Sequence, residues 1–280
     1  MTTKDFATYL QQYKNPHGPG SVPFFAHRGL SSLAPDNSTV ALERAFESED
    51  VDGVEFDLQR TADGKIVARH HRSVRTGTNQ VWLEDMPLSE YRKYADEEHS
   101  PALGTVLEIA ASSQKVLDME LKSIGIAKQV VQACKEKRLL DRVILTTIYD
   151  DIYREVREQY PEIALMYGYP KDRGKDLAQQ KWTQPFVKMI VASMRFRIDS
   201  TVQQLMQEVE TPFLSFYHKV ITPSMVKLLY QQQRYCIGCT INLQNDTGAR
   251  ESAKTMQMML DQGVDLIKTD YPQLRSTLQQ

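Results

Sequence analysis

The chain reads PFFAHRGLSSLAPDNSTVALERAF over residues 23–46 and DVDGVEFDLQRTADGKIVARHH over residues 50–71. The apolar residues at 23–27 and 53–59 predict strands, and the apolar pattern at 39–49 predicts a helix between them. A strand, a helix and a second strand in this order form a right-handed crossover, which brings both strands into one parallel sheet. These stretches therefore indicate the first unit of an α/β fold.

The same alternation continues to the C-terminus. Further strand-like runs occur at 115–122, 142–147, 162–168, 189–194, 212–217, 235–242 and 265–270. Further helical patterns occur at 125–138, 150–159, 199–209, 223–233 and 249–262. Eight strand–helix units close a TIM (β/α)8 barrel, so one of the nine predicted strands is surplus. The surplus run is FVKMIVASMRF at 186–196, which is a helix, a lid segment or an extra strand.

The predicted organisation is a single barrel domain at 23–280, preceded by an N-terminal helix and linker at 1–22. The helix is expected at 4–14, where Phe6 and Leu10 fall on one side. Its sequence lacks the apolar core of a signal peptide. No composition break indicates a second domain.

Composition excludes several classes of protein. The 280 residues are 41% hydrophobic and 25% charged, with a net charge of −2, so nothing favours nucleic acid as a partner. No run of 18 uncharged apolar residues predicts a transmembrane segment. Three cysteines in a chain of this length favour a reducing compartment, and a cytoplasmic location is expected.

Polar side chains gather at the predicted strand ends, where TIM barrels carry their active sites. Glu55 and Asp57 are two residues apart on one strand and therefore point to the same face, as Glu120 and Lys122 do on another. Carboxylate oxygens are the ligands that Mg²⁺ and Ca²⁺ prefer. The alternative is that the carboxylates form buried ion pairs with Lys122 and Arg28.

Two histidines accompany these carboxylates. His27 follows the first strand directly before Arg28, and His70 follows KIVAR at 65–69. Imidazoles are the usual proton carriers near neutral pH, whereas Arg28 and Lys122 offer cationic donors to phosphate oxygens. Taken singly, His27 could be a buried core histidine and His70 an exposed hairpin residue. Together the groups indicate cation-assisted acid–base chemistry on a phosphate ester.

These motifs closely resemble those of the glycerophosphodiester phosphodiesterase family. The family's H-R-G, P-E-N-T, G-x-E-x-D, T-x-D-G, H-D and E-x-K motifs correspond to His27-Arg28-Gly29, Pro35-Asp36-Asn37-Ser38, Gly53-Val54-Glu55-Phe56-Asp57, Thr61-Ala62-Asp63-Gly64, His70-His71 and Glu120-Leu121-Lys122. Near the C-terminus, Gly263-Val264-Asp265 and Thr269-Asp270-Tyr271-Pro272 look like the family's last strand. The resemblance covers residues 23–272.

The resemblance implies a distorted TIM barrel with a small insertion after the second strand. It also implies one divalent cation, Mg²⁺ or Ca²⁺, and hydrolysis of small-molecule glycerophosphodiesters to a glycerol phosphate and an alcohol. The metal ligands would be Glu55, Asp57 and Glu120; His27 and His70 would act as general acid and base; Arg28 and Lys122 would hold the phosphate.

The chain departs from the family pattern at several places, of which Asp36 and Ser38, in place of Glu and Thr, are mild. His71 stands where the family has aspartate, which puts the role of the neighbouring His70 in question. Cys239 stands where the family often has tryptophan, and the loss of an aromatic ring weakens the expectation of a choline leaving group. Cys236 and Cys239 form a lone C-x-x-C, for which zinc or redox chemistry is not predicted because residues three apart on a strand face opposite sides.

Two other functions stay open. One is phospholipase D-like cleavage of lysophospholipid or sphingolipid head groups. The segment 181–198, which mixes aromatic, Met and basic residues, could then make peripheral membrane contact, although core packing is the expected role of such a segment. The other is a catalytically weakened binding or regulatory protein, which only His71 supports.

Overall fold

A computed structural model describes residues 1–13, 22–171, 184–240 and 249–278. The strands are β1 (Phe24–His27), β2 (Gly53–Arg60), β3 (Ile66–Ala68), β4 (Ser73–Thr76), β5 (Asn79–Trp82), β6 (Val116–Leu121), β7 (Val143–Thr147), β8 (Leu165–Tyr169), β9 (Phe213–Tyr217), β10 (Tyr235–Cys239) and β11 (Leu266–Thr269). The helices are α1 (Thr3–Tyr13), α2 (Thr39–Glu47), α3 (Leu88–Tyr91), α4 (Leu103–Ala111), α5 (Ala127–Glu136), α6 (Asp150–Gln159), α7 (Gln184–Phe196), α8 (Ile198–Glu208), α9 (Pro223–Gln231) and α10 (Ala249–Asp261). Short 3-10 helices lie at Leu83–Asp85, Leu140–Arg142, His218–Val220 and Pro272–Thr277.

Parallel strands form a closed barrel. The order around the barrel is β1, β11, β10, β9, β8, β7, β6 and β2, and a parallel pairing of β1 with β2 closes it. The predicted TIM barrel is thereby confirmed. The surplus run at 189–194 lies within helix α7 and not in a strand, which removes the ninth predicted strand.

A small insertion follows β2, as predicted. It begins with β3, which pairs antiparallel to β2, and continues with the β4–β5 hairpin and α3. Its own apolar cluster consists of Val67, Val74, Leu83, Met86 and Tyr91. Neither the β4–β5 hairpin nor α4 was predicted from the sequence.

The N-terminal helix α1 closes the barrel at the end opposite the predicted active site. Phe6 and Leu10 are fully buried, and the Phe6 ring meets the Phe213 ring edge-on with centroids 4.7 Å apart. Backbone hydrogen bonds join α1 to the segment before β8, since the Thr3 N–H donates to the Glu162 carbonyl at 3.0 Å. The helix is therefore part of the barrel core. The domain boundary at residue 22 stays a prediction, because residues 14–21 lie outside the described part of the chain.

The barrel interior is apolar next to α1 and becomes charged toward the C-terminal ends of the strands. Next to α1 lies an apolar layer: Phe25, Val116, Ile144, Ala164, Met166, Phe213, Ile237 and Leu266. Above it a buried ion pair joins Lys268 to Asp118, and Thr146 donates a hydrogen bond to the same carboxylate. At this depth the two buried charges compensate each other, which lowers the free-energy cost of burying them.

Helix α7 differs from the expected core element. Val191 and Met194 pack against the core, but Phe186, Met189, Ile190 and Phe196 are exposed, Phe196 to 91%. The expectation of simple core packing is therefore wrong for one face of this helix. Residues 181–183 lie outside the described residues. Among the described helices, none is long and apolar enough to cross a membrane.

Candidate active site

The turn after β1 brings His27 and Arg28 to the mouth of the barrel, the end at which the parallel strands finish. Arg28 and Gly29 both have positive φ values, 62° and 76°. A Cβ at Gly29 would lie 2.6 Å from the Ala41 carbonyl carbon, so only glycine fits this turn. The Arg28 backbone N–H then donates to Glu55 Oε2 at 2.7 Å. The H-R-G motif thus fixes the Glu55 carboxylate through the main chain.

Three carboxylates converge at this mouth. Glu55 and Asp57 lie on one face of β2, and Glu120 is opposite Asp57 in the parallel register of β2 with β6. One oxygen from each of the three lies within 4.8 Å of the others. Glu55 and Asp57 are buried, and Glu55 Oε1 has no hydrogen-bond partner. An orphaned buried carboxylate oxygen beside two more carboxylates fits the hard, oxygen-rich environment of a divalent cation.

Both predicted phosphate-binding cations contact this cluster. Lys122 Nζ lies 2.6 Å from Glu120 Oε1 and 3.0 Å from Asp57 Oδ1, and Arg28 Nε lies 3.4 Å from Asp57 Oδ2. Burial acts to raise the pKa of Asp57, but Lys122, His70 and Arg28 hold that pKa below its ordinary value. The ion pairs that the sequence offered as an alternative to metal ligation are therefore present within the same cluster.

Glu55 behaves differently from Asp57. Burial, and then the neighbouring Asp57 carboxylate, raise the pKa of Glu55 to about 8. Glu55 Oε1 has no hydrogen-bond partner, and the positive charges of His27 and Lys268 only partly offset the rise in its pKa, whereas Asp57 forms ion pairs with Lys122 and Arg28. Of the three carboxylates, Glu55 is therefore the one that most needs an added positive charge.

His27 is buried on one side of the cluster and is held by Asp270. The distance from His27 Nδ1 to Asp270 Oδ1 is 2.7 Å. Burial alone would lower the pKa of His27, but Cys239, Glu55 and Asp270 together hold it well above its ordinary value. A carboxylate at Nδ1 selects the tautomer in which Nδ1 carries the proton, which leaves Nε2 as the other exchanging atom.

His70 belongs to the cluster rather than to an exposed hairpin. Burial, followed by the Arg28 and Lys122 charges, holds the pKa of His70 well below its ordinary value. Gln59 Nε2 donates to the His70 carbonyl at 2.9 Å and fixes the backbone there. The His71 ring meets the His70 ring edge-on, with centroids 5.0 Å apart. The choice of His70 over His71 as the proton-transferring residue stays a prediction.

Two residues with positioning contacts received no role from the sequence. Asn37 donates from Nδ2 to Asp57 Oδ2 at 2.8 Å, and its Oδ1 accepts from the Asp57 N–H at 2.9 Å. Asp270 holds His27. Asn37 lies in the P-D-N-S motif and Asp270 in the T-D-Y-P motif. The presence of a short polar residue in each motif is the sequence feature that could have indicated a positioning role.

The cysteines lie as the strand pattern predicts. Cys236 packs with the apolar residues outside the barrel, whereas Cys239, on the same strand, is close enough to His27 to affect its pKa. All three cysteines are buried and free. His218 is buried, with Nδ1 3.3 Å from the Cys239 carbonyl oxygen.

Comparison with known proteins identifies the family to which the chain belongs. The family described as "Glycerophosphoryl diester phosphodiesterase family" matches residues 27–274. The chain belongs to this family. The site just described falls within the matched residues, and the family assignment places the protein among the phosphoric diester hydrolases, as the sequence predicted.

Individual relatives give the extent of the likeness. A glycerophosphodiester phosphodiesterase from Bacillus altitudinis is 26% identical and aligns over 89% of this chain and 94% of its own length. One from Caldanaerobacter subterraneus subsp. tengcongensis is 31% identical, over 51% of this chain and 65% of its own length.

Solved structures share the fold. A glycerophosphodiester phosphodiesterase from Parabacteroides distasonis superposes with a TM-score of 0.67 at 22% identity, covering 93% of this chain and 97% of its own. An Oleispira antarctica phosphodiesterase, solved in complex with the product sn-glycerol-3-phosphate, superposes with a TM-score of 0.64 at 19% identity, covering 91% and 95%.

Proposed function

We propose that the protein hydrolyses glycerophosphodiesters to a glycerol phosphate and an alcohol, with a divalent cation and two histidines. The observation that carries this proposal is the cluster of buried Glu55, buried Asp57 and half-buried Glu120 at the mouth of the barrel, with His27 and His70 beside it. Membership of the family supports the reaction class.

Glu55, Asp57 and Glu120 are the proposed cation ligands. When bound, a divalent cation supplies a positive charge that polarises and orients the phosphate diester. The donor set consists of carboxylate oxygens, which suit both Mg²⁺ and Ca²⁺. Asn37 keeps Asp57 in place through its two hydrogen bonds, and the Arg28 N–H keeps Glu55 in place.

The remaining groups bind the phosphate and move protons. Arg28 and Lys122 lie against the carboxylates and offer donors to the diester oxygens. Of His27 and His70, one removes the proton of the attacking hydroxyl and the other gives a proton to the leaving alkoxide. The attacking group is water or the neighbouring glycerol hydroxyl, and the second route passes through a cyclic phosphate.

A metal-dependence assay tests this function. Purified protein stripped with chelator is expected to be inactive on glycerophosphoglycerol and to recover with Mg²⁺ or Ca²⁺. The variant His27→Asn is expected to lose about 10²- to 10⁴-fold in kcat/KM, as for removal of an acid–base group. His99→Asn is the matched control, because the His99 side chain is 53% exposed and its ion pair is with Asp96, which is not part of the cluster.

Two results would contradict the proposal. Hydrolysis that survives complete metal removal would exclude the proposed cation. The absence of hydrolysis of any glycerophosphodiester, with the cation shown to bind, would leave the weakened binding or regulatory protein as the better description.

A second candidate function rests on helix α7. Its exposed Phe186, Met189, Ile190 and Phe196 are flanked by Lys188 and Arg195, a composition suited to an anionic lipid surface. Phospholipase D-like cleavage of lysophospholipids would use such a surface. The variant Phe196→Ser would then slow hydrolysis of micellar lysophospholipid but not of a soluble diester. Tyr230→Ser, at an exposed position on α9, is the control.

A further inference from the structure

A cavity of about 640 Å³ lies beyond the ends of β7 and β8, and none of the predicted catalytic, cation-binding or phosphate-binding residues is in its lining. Its walls come from Arg72 of the insertion, the segment after β7 with the start of helix α6, the end of β8 and helix α8. The lining residues that matter here are Arg72, Tyr149, Asp150, Tyr169, Lys171 and Glu208. A volume of this size accommodates a small polar ligand of several carbons.

A chain of contacts joins this cavity to the catalytic cluster. Lys122, in the cluster, is followed by Ser123, whose hydroxyl donates to Glu84 Oε1 at 3.1 Å. Glu84 Oε1 in turn accepts from Arg72 Nη2 at 2.9 Å. The cavity wall at Arg72 is thus linked through Glu84 and Ser123 to the residue that follows Lys122 in the chain.

The Arg72 guanidinium lies near two aromatic rings, Tyr149 in the cavity lining and Trp82 next to it on the insertion. Its central carbon lies 5.7 Å from the Trp82 ring centroid and 5.2 Å from the Tyr149 ring centroid. Aromatic rings around a cation are also the arrangement that binds quaternary ammonium groups. In this protein the Arg72 guanidinium takes the position between the two rings that such a group would need.

The carboxylates of the cavity are also neutralised from within. Lys171 Nζ lies 3.1 Å from Asp150 Oδ1 and 2.8 Å from Glu208 Oε2. Arg154 is 3.5 Å from Asp151. The carboxylates that could bind a cationic ligand are therefore already paired with Lys171 and Arg154. Neutral ligands rich in hydroxyl groups meet both donors and acceptors.

We propose that this cavity receives the alcohol part of the diester, and that Arg72 makes the enzyme select a polyhydroxyl alcohol over a quaternary ammonium alcohol. This inference rests on the proposed function. Arg72 offers guanidinium donors to hydroxyl oxygens of the alcohol, and it repels and sterically excludes a trimethylammonium group. The inference names the substrate class, glycerophosphodiesters of polyols such as glycerol and inositol.

A substrate comparison tests this inference without any variant. The wild-type protein with its cation is given glycerophosphoinositol and glycerophosphocholine separately, and kcat/KM is measured for each. We expect the inositol diester to have the higher value. Equal values, or a preference for choline, overturn the inference while leaving the proposed hydrolysis intact. Absence of hydrolysis of both diesters contradicts the proposed function itself.

The variant Arg72→Met tests the residue. Methionine keeps an unbranched apolar stem and removes the charge, so both ring faces become available to a trimethylammonium group. The ratio of kcat/KM for choline over inositol is expected to rise about 3- to 30-fold, the range of cation–π interactions from exposed to desolvated sites. Arg75→Met, at an exposed position on the same hairpin, is expected to leave the ratio unchanged.

A double variant shows whether a change in the choline-to-inositol ratio comes from the aromatic rings or from a general change in the structure of the cavity. The gain on choline in Arg72→Met is expected to disappear in Arg72→Met/Trp82→Leu, because one of the two rings is lost. An unchanged ratio in a folded Arg72→Met, shown by a melting temperature near that of wild type, contradicts the role of Arg72. So does an equal gain in Arg75→Met.

Discussion

The two ends of the barrel place opposite chemistry on the same strands. On β1, Phe25 points into the apolar layer that α1 covers, and His27, two residues later, points into the charged mouth. On β6, Val116 is apolar, Asp118 forms a buried ion pair and Glu120 faces the cation site. Residues two apart on one strand point in the same direction into the barrel. Those near α1 form the apolar core that stabilises the fold, and those near the C-terminal end of the strand form the candidate active site.

The largest expected effect lies at the mouth. The variant Glu55→Gln keeps the side-chain shape and removes the charge that the cation requires. Loss of the cation's several kcal/mol of transition-state stabilisation is expected to lower kcat/KM by about 10³-fold or more. The melting temperature in chelator should not fall, because Glu55 Oε1 has no hydrogen-bond partner to lose. Glu108→Gln, an exposed position on α4, is the control. If Glu55→Gln lowered the melting temperature but kept its activity per folded molecule, Glu55 would contribute to stability and not to catalysis, contrary to this prediction.

The closed end should respond in the opposite way. Phe6→Ala removes a fully buried ring from the apolar layer and is expected to lower the free energy of unfolding by about 3–5 kcal/mol. The kcat/KM of the folded fraction should be unchanged, since the cluster lies at the other end. Denaturant unfolding and steady-state kinetics on one preparation check both statements. Gln12→Ala, at an exposed position of the same helix, should leave both quantities unchanged.

An intermediate effect is expected for Asp270, which acts through His27. Asp270→Asn should lower kcat/KM about 10²-fold, because the imidazole loses the carboxylate that fixes its tautomer. Its effect should vanish in a His27→Asn background, as for two residues that act as a unit. Full additivity of the two losses would show that Asp270 has only a structural role.

The smallest expected effect returns to the closed end. Tyr13→Phe removes the hydrogen bond from the Tyr13 hydroxyl to Asp52 Oδ1, 3.1 Å long. Asp52 keeps the Phe24 N–H and the Arg275 guanidinium as donors to its other oxygen. The expected cost is therefore about 1 kcal/mol of unfolding free energy, with no change in turnover. A loss as large as that of Phe6→Ala would mean that polar contacts, and not the apolar layer, hold α1 in place.

Local patterns predicted the barrel and most of the site. Successive side chains of a strand point to opposite faces, so Glu55 and Asp57, two residues apart, lie on the same face. Their positions in the sequence are enough to predict this. Asp270 could not be assigned in this way, since it lies 243 residues from His27 in the sequence. Its role depends on closure of the barrel, which brings β11 beside β1. The C-terminal strand thus supplies a contact that no spacing encodes.

Other features were missed for different reasons. The β4–β5 hairpin contains few alternating apolar residues, so its sequence, SVRTGTNQVW, gave no clear strand signal. In α7, the apolar pattern of FVKMIVASMRF fits a strand or a helix of its length, and only the neighbouring elements decide which face is covered. Arg72 lay in no motif, and its position between Trp82 and Tyr149 joins two distant parts of the chain.

The position of α1 has a consequence for synthesis and folding. The helix is translated before the barrel strands, yet its Phe6 side chain contacts Phe213, more than two hundred residues later in the chain. Until β9 has left the ribosome, this apolar face has no native surface to cover it. The barrel therefore cannot finish folding from its N-terminus as it emerges. A ribosome-bound chain ending before residue 213 should expose α1 to proteases and chaperones, and the full-length chain should protect it.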